Sequence, residues 1–225
     1  MHNFFTHIHE QAARLFDLVI APPRELSAAR DLTIDTIFER CPRSSFRIGN
    51  IRAILNYRAG STHSLIALLK FRNSGFARQL CAELLYRELN AMFPTQEIIL
   101  IPVPSSKKRI RGKGFNHCER LLHELEKVDT EHRSEHHSKN RFEIQTDWII
   151  KTRHTKRQAL LTRSERLTNL RGVFAINPRG QTESAQNKIV VVIDDIVTTG
   201  TTMREVMRVA KSAGASEVHG LALAH

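Results

Sequence analysis

Asp194 and Asp195 stand side by side between the apolar run Val190-Val191-Val192-Ile193 and the segment Ile196-Val197-Thr198-Thr199-Gly200-Thr201-Thr202. Ionised carboxylates only accept hydrogen bonds, so an adjacent pair suits vicinal hydroxyls such as a ribose diol, or a Mg²⁺ ion held through water. The hydroxyl-rich turn that follows suits an anion. Gly200 permits a positive φ and close backbone approach, the threonines add donors, and the next residues begin a helix whose N-terminus favours negative charge. The combined chemistry is a grip for a ribose 5-phosphate, with sugar hydroxyls on Asp194 and Asp195 and the phosphate on Thr198, Thr199, Gly200, Thr201 and Thr202. The competing interpretation is an acidic surface turn before an ordinary helix. No GxxxxGK[ST] or GxGxxG pattern occurs in the chain.

These residues need elements to hold them. Four mostly β-branched apolar residues in succession predict a central parallel strand buried on both faces, and Met203 to Ala213 carries apolar residues at helical spacing. Glu97 to Pro104 predicts a second core strand. It runs into Ser105, Ser106, Lys107, Lys108, Arg109 and on to Gly114, and five of the seven residues from Lys107 to Lys113 are basic. Ligands of open α/β sheets lie beyond the carboxyl ends of the strands, so this basic loop and the Asp-Asp loop are expected at one edge. A cationic loop there would meet a second anionic group, although a Lys/Arg run also serves solvation or nucleic-acid binding.

The motif Val190 to Thr202 resembles the PRPP-binding motif of type I phosphoribosyltransferases at every position. Three stretches together narrow the resemblance to the ComF family, phosphoribosyltransferase-like proteins associated with DNA uptake and natural transformation. They are Pro102-Val103-Pro104 with the basic run and Gly114-Phe115-Asn116; Thr155-Lys156-Arg157-Gln158 with Leu161, Ser164-Glu165-Arg166 and Asn169-Leu170-Arg171-Gly172; and the motif itself. The resemblance covers roughly residues 50 to 225. It implies an α/β fold, a type I phosphoribosyltransferase-like parallel sheet flanked by helices with a variable hood. It also implies a PRPP ligand accompanied by Mg²⁺, with Ser105, Ser106, Lys107 and Arg109 in the pyrophosphate loop and Thr152 to Gly172 as a loop closing over the site. Single-stranded DNA and competence proteins are the partners it suggests. The alternative activity is nucleotide salvage, transfer of ribose phosphate from PRPP to a base. Most members of that family carry an N-terminal cysteine zinc ribbon, which residues 1–50 lack.

The remaining sequence bounds these expectations. The chain has 225 residues, 41% hydrophobic and 25% charged, as in ordinary globular proteins. Its formal net charge is +11, and from Ala185 onward basic and acidic residues balance, so the excess lies upstream of the motif. Such an excess fits phosphorylated substrates or nucleic acid. The three cysteines, Cys41, Cys81 and Cys118, are far apart and predict free thiols rather than disulfides or a zinc site. No residue is assigned as a direct metal ligand. No signal-like N-terminus or membrane-spanning run is present, which predicts a cytoplasmic protein without membrane insertion. Residues 1–50 read as a small helical appendage, with helices over Gln11–Ile20 and Leu26–Phe38, and residues 51–225 as the phosphoribosyltransferase-like domain. Within it the expected elements are a strand or hairpin arm at Ile51–Tyr57, helices at Ser64–Leu69, Phe76–Met92 and Phe115–Val128, a polar loop at Asp129–Arg141, and strands at Ile144–Ile150, Val173–Ile176 and Glu217–Ala224. Lys70-Phe71-Arg72, between two of the helices, reads equally as a basic helix end or a ligand contact.

Overall fold

A computed structural model describes residues 29, 31–72, 74–105, 115–136, 141–152, 172–178 and 185–225. The helix expected at Gln11–Ile20, residues 106–114 of the basic loop and most of the Thr152–Gly172 segment lie outside the described residues.

The centre is a six-stranded sheet. In chain order its strands are β1 (Arg47–Ile48), β2 (Ile51–Leu55), β3 (Ile98–Pro102), β4 (Phe142–Ile144), β7 (Ile189–Ile196) and β8 (Glu217–Ala224), arranged β1-β2-β8-β7-β3-β4. Only β1 is antiparallel to its neighbour; β2, β8, β7, β3 and β4 all run the same way. Parallel neighbours need crossovers, and helices supply them. β2 leads through α2 (Thr62–Phe71) and α3 (Gly75–Met92) to β3, β3 through α4 (His117–His136) to β4, and β7 through α5 (Thr201–Ser212) to β8. One turn of helix, α1 (Ile37–Arg40), precedes the sheet, and β5 (Ile149–Lys151) pairs antiparallel with β6 (Phe174–Ile176) in a separate ribbon.

Alternation along each strand explains why both faces are covered. Val191 and Ile193 of β7, with Ile98 and Leu100 of β3, face the cluster built from α2, α3 and α4. Val190, Val192, Ile99 and Ile101 face the opposite cluster, formed by α5 and the β5–β6 ribbon with Trp148 and Phe174. Polar side chains have no place in the body of such strands, so the first carboxylate of β7 appears where the strand leaves the core.

Three expectations need correction. Among the described residues of the Leu26–Phe38 stretch, expected as a helix, residues 31–36 are turns or irregular and helix begins only at Ile37. The Phe115–Val128 helix continues to His136, through residues expected as a polar loop. Ile144–Ile150 is not one strand: β4 ends at Ile144 and β5 starts at Ile149, in different sheets. The stretch expected as a strand or hairpin arm is both: β2, over Ile51–Leu55, pairs antiparallel with β1 on one side and parallel with β8 on the other. From the segment before residue 51, Ala29, Leu32, Ile37 and Cys41 are buried in the same cluster as Leu55 and Leu223. All three cysteines are free, as expected, and all are buried.

Candidate functional site

Adjacent parallel strands bring the candidate residues to one edge. β3 and β7 pair in register through Pro102 and Ile193, and the Val103 N–H donates to the Ile193 carbonyl at 2.9 Å. Ser105, partly buried, therefore follows the end of β3 beside the end of β7, where Asp194 and Asp195 sit half-buried. The backbone turns in on the carboxylates: the Asp195 N–H donates to Asp194 Oδ1 at 2.9 Å and the Ile196 N–H to Asp195 Oδ1 at 2.7 Å.

The turn after β7 has the geometry its composition predicts. Gly200 adopts φ 73°, the left-handed region, immediately before α5. A Cβ there would stand 3.3 Å from Ile51 Cδ1 and 3.1 Å from an Arg204 guanidinium nitrogen, so glycine is favoured by both conformation and space. Thr199 and Thr201 hydroxyls lie 2.8 Å apart, Arg204 donates to Thr201 Oγ1 at 3.3 Å, and Thr198 and Thr199 are exposed. Hydroxyl oxygens and a guanidinium thus converge on the start of a twelve-residue helix, a setting for an anion.

Two other elements reach the aspartates. Lys70, near the end of α2, places Nζ 3.0 Å from Asp195 Oδ2, and both side chains are only 14% exposed. α4 starts beside the pair because Asn116 anchors it. The Asn116 amide nitrogen donates to the Val103 carbonyl and to Glu119, while its Oδ1 accepts the Cys118 N–H. Cys118 Sγ, in the first turn of α4, then approaches Asp194 Oδ1 at 3.7 Å.

The two carboxylates are consequently unlike. Burial, and then the charge of Asp195, push the Asp194 carboxyl up to about 7. Burial acts on Asp195 in the same sense, but the charge and hydrogen bond of Lys70 outweigh it and hold its carboxyl below the ordinary range. Burial and the two neighbouring acids raise the Cys118 thiol, which stays protonated at neutral pH. Donor atoms of Cys118, Asp194 and Asp195 lie within 4.8 Å of one another. Carboxylate oxygens suit a hard ion such as Mg²⁺, whereas a protonated thiol does not.

A family model, the phosphoribosyl transferase domain, matches residues 110–224, just over half of the 225 residues. The chain belongs to the phosphoribosyl transferase domain family. Its helix-flanked, mostly parallel sheet is the α/β fold of type I phosphoribosyltransferases. Competence protein F of Haemophilus influenzae is 26% identical over 165 residues, a match covering 71% of this chain and 66% of that relative's length. The protein is thus ComF-like and of phosphoribosyltransferase type. Among solved structures, a hypoxanthine phosphoribosyltransferase from Staphylococcus aureus overlays 64% of this chain and 61% of its own, at 13% identity and a TM-score of 0.36. An allosteric regulatory enzyme of purine biosynthesis overlays 65% of this chain and 26% of its own, at 18% identity and a TM-score of 0.36.

In this phosphoribosyltransferase core, Asp194, Asp195, the 198–202 turn and Ser105 gather at the sheet edge. Ser106, Lys107 and Arg109 lie outside the described residues. Sequence reading assigned no role at the site to Asn116, Cys118 or Arg204, and left Lys70 undecided. Lys70 is the only Lys, Arg, Asp or Glu in α2, a position that the helix dipole alone also explains. Asn116 carried the helix-start signal of an amide just before the periodic run. Nothing in the sequence marks Cys118. No helix of the described residues is long and apolar enough to cross a membrane.

Proposed function

We propose that this ComF-like protein binds PRPP, or a related ribose 5-phosphate ligand, and acts in DNA uptake during natural transformation. The observation that carries the ligand reading is the joint placement of two carboxylates of different ionisation and a left-handed Gly200 turn at one sheet edge. Asp195, ionised, accepts a ribose hydroxyl; Asp194 accepts or donates according to its protonation. The N–H groups and hydroxyls of Thr198 to Thr202 take the 5-phosphate, and the loop from Ser105 through Ser106, Lys107 and Arg109 meets the diphosphate. A Mg²⁺ ion entering with PRPP would offset diphosphate charge, held through water by Asp194 and Asp195. In transfer, charge grows on the leaving diphosphate as the ribose becomes cation-like, and fixed groups of opposite sign stabilise both. The competence role rests on likeness to Competence protein F.

Isothermal titration of PRPP, ribose 5-phosphate and pyrophosphate in Mg²⁺ tests the ligand. PRPP is expected to bind most tightly. Gly200→Ala should weaken it about fivefold, through strain of roughly 1 kcal/mol in the turn, and Asp194→Asn/Asp195→Asn by at least about a hundredfold, since two charge-assisted contacts go. No binding of PRPP at millimolar concentration sinks the reading.

Contact with single-stranded DNA is tested by salt dependence. Replacing Lys107, Lys108 and Arg109 by alanine should reduce the log–log salt slope of binding by about 2, close to the value for three phosphate contacts. An unchanged slope removes this loop from any DNA path.

A further inference from the structure

The Lys70–Asp195 pair is not required by the sugar-phosphate grip, and its burial calls for a reason. A helix that merely ended on a cation would leave it in solvent, as Arg72 is left at the C-cap of α2. Lys70 instead follows the buried run Ser64 to Leu69 and brings its ammonium within 3.0 Å of Asp195 Oδ2, with 14% of either side chain exposed. Withdrawing both ions from water is costly unless each serves the other. The ammonium lies at a carboxylate pair whose oxygens, with Cys118 Sγ, fall within 4.8 Å of one another, a spacing that one divalent ion could bridge. Lys70 and such an ion would compete for the same negative charge.

We propose that Lys70 is a built-in counter-cation that keeps Asp194 and Asp195 from taking up a free divalent ion, so that the ion enters only with its phosphorylated ligand. The inference rests on the ribose-phosphate reading of the site. With both carboxylates ionised, they and the Lys70 ammonium carry a formal charge of −1; a dication alone would be drawn to that net charge but repelled by an ammonium a few ångström away in a partly desolvated site. A phosphorylated ligand changes the balance. It brings negative charge for the ion and offers the ammonium, which has three donors, an anionic partner besides Asp195. Lys70 is thus a positioning residue that makes ion and ligand arrive together.

Mn²⁺ is the probe, followed by the electron paramagnetic resonance of the free ion at fixed pH and ionic strength, with no ribose ligand present. Lys70→Met should bind one Mn²⁺ at least about tenfold more tightly than the wild type, and Lys70→Arg, which keeps the charge, should resemble the wild type. Equal affinities in wild type and Lys70→Met overturn the proposal. Where Lys70→Met does not fold, the wild type decides alone: a Mn²⁺ site tighter than about 0.1 mM, stronger than weak extracellular calcium modules, overturns it, and weaker uptake supports it. These measurements contain no PRPP, so their failure strikes the role of Lys70. Failure of PRPP to bind the wild type strikes the ligand reading instead.

Discussion

Asp195→Asn is expected to destabilise the free protein by about 3 kcal/mol, whereas Asp194→Asn should stabilise it at pH 8. Neighbouring residues of one type would usually be given one role, and the partners of each acid separate them. Removing the charge of Asp195 leaves the Lys70 ammonium, 14% exposed, without its carboxylate 3.0 Å away, and breaking a buried pair from one side costs about 3–5 kcal/mol. Asp194 has the opposite history. Its carboxyl is raised to about 7 by burial and by Asp195, so the folded state holds a proton that the unfolded chain has released. That contribution to stability is full below the unfolded value near 4 and disappears as pH rises through about 7. At pH 8 the folded protein therefore carries an ionised Asp194 at a cost. Asparagine removes the cost and still offers an oxygen to the Asp195 N–H, for a net gain on the order of 1–2 kcal/mol after weaker neutral hydrogen bonds are allowed for. Asp195, held low by Lys70, acts in the reverse sense, and its stabilisation is lost only as pH falls through its depressed value, in acid. Of the two aspartates, it is thus Asp194 that contributes a slope between pH 5 and 8. Guanidinium denaturation at pH 5.5 and pH 8 should find the wild type less stable at the higher pH, Asp194→Asn nearly flat, and Asp195→Asn weakened at both. Equal destabilisation by the two substitutions would refute the asymmetry.

What the sequence disclosed follows from how local each cause is. β7 and its turn were legible because their constraints are written into consecutive residues: apolar on both faces, then acids at the exit, then small residues where the backbone must turn. The far half of α4 was not legible, because its helical state depends on another element. Asp129 is buried and pairs with Arg133 at 3.0 Å, while His132 stacks on Tyr86 of α3 at 4.4 Å between ring centroids and meets Glu83 at 3.0 Å. A polar segment with no apolar stripe is held by polar partners that only the fold supplies. The same holds for Ile144 to Ile150. Its apolar residues read as one strand, yet the pairing with β3 ends at Gln145, whose N–H donates to the Leu100 carbonyl, and Ile149 begins a ribbon with β6. Lys70 illustrates the limit for function. A lysine ending an apolar helix is consistent with the helix dipole, and only the spatial approach of Asp195 distinguishes that role from a place in the site.

Gly60→Ala should cost about 3 kcal/mol or more, and Gly49→Ala only about 1 kcal/mol, although both glycines have φ 57°. The shared dihedral sets a common penalty for any L-residue in the left-handed region; the surroundings set the difference. A Cβ on Gly49 would meet nothing within 4 Å, whereas one on Gly60 would lie 1.8 Å from the Arg40 carbonyl oxygen, which is backbone and cannot swing aside. That carbonyl ends α1 and accepts the Ser61 N–H at 2.7 Å. The same strap continues as Pro42 accepts from Asn56 and Ser44 donates to Ile54, each at 2.8 Å, and it buries Ile37 and Cys41 against the core beside Leu55. An alanine at 60 must therefore break the Ser61 bond and lift α1 from the core, adding a lost hydrogen bond and loosened packing to the conformational strain. The displacement begins two residues before α2, the helix that carries Lys70, so the Gly60 variant should also loosen the Lys70–Asp195 pair, while Gly49→Ala leaves it intact. Denaturant midpoints for the two variants, with the pH dependence of each, check both halves. Equal losses at the two glycines would mean that the turn conformation alone is at stake and that residues 37–44 do not brace the sheet edge.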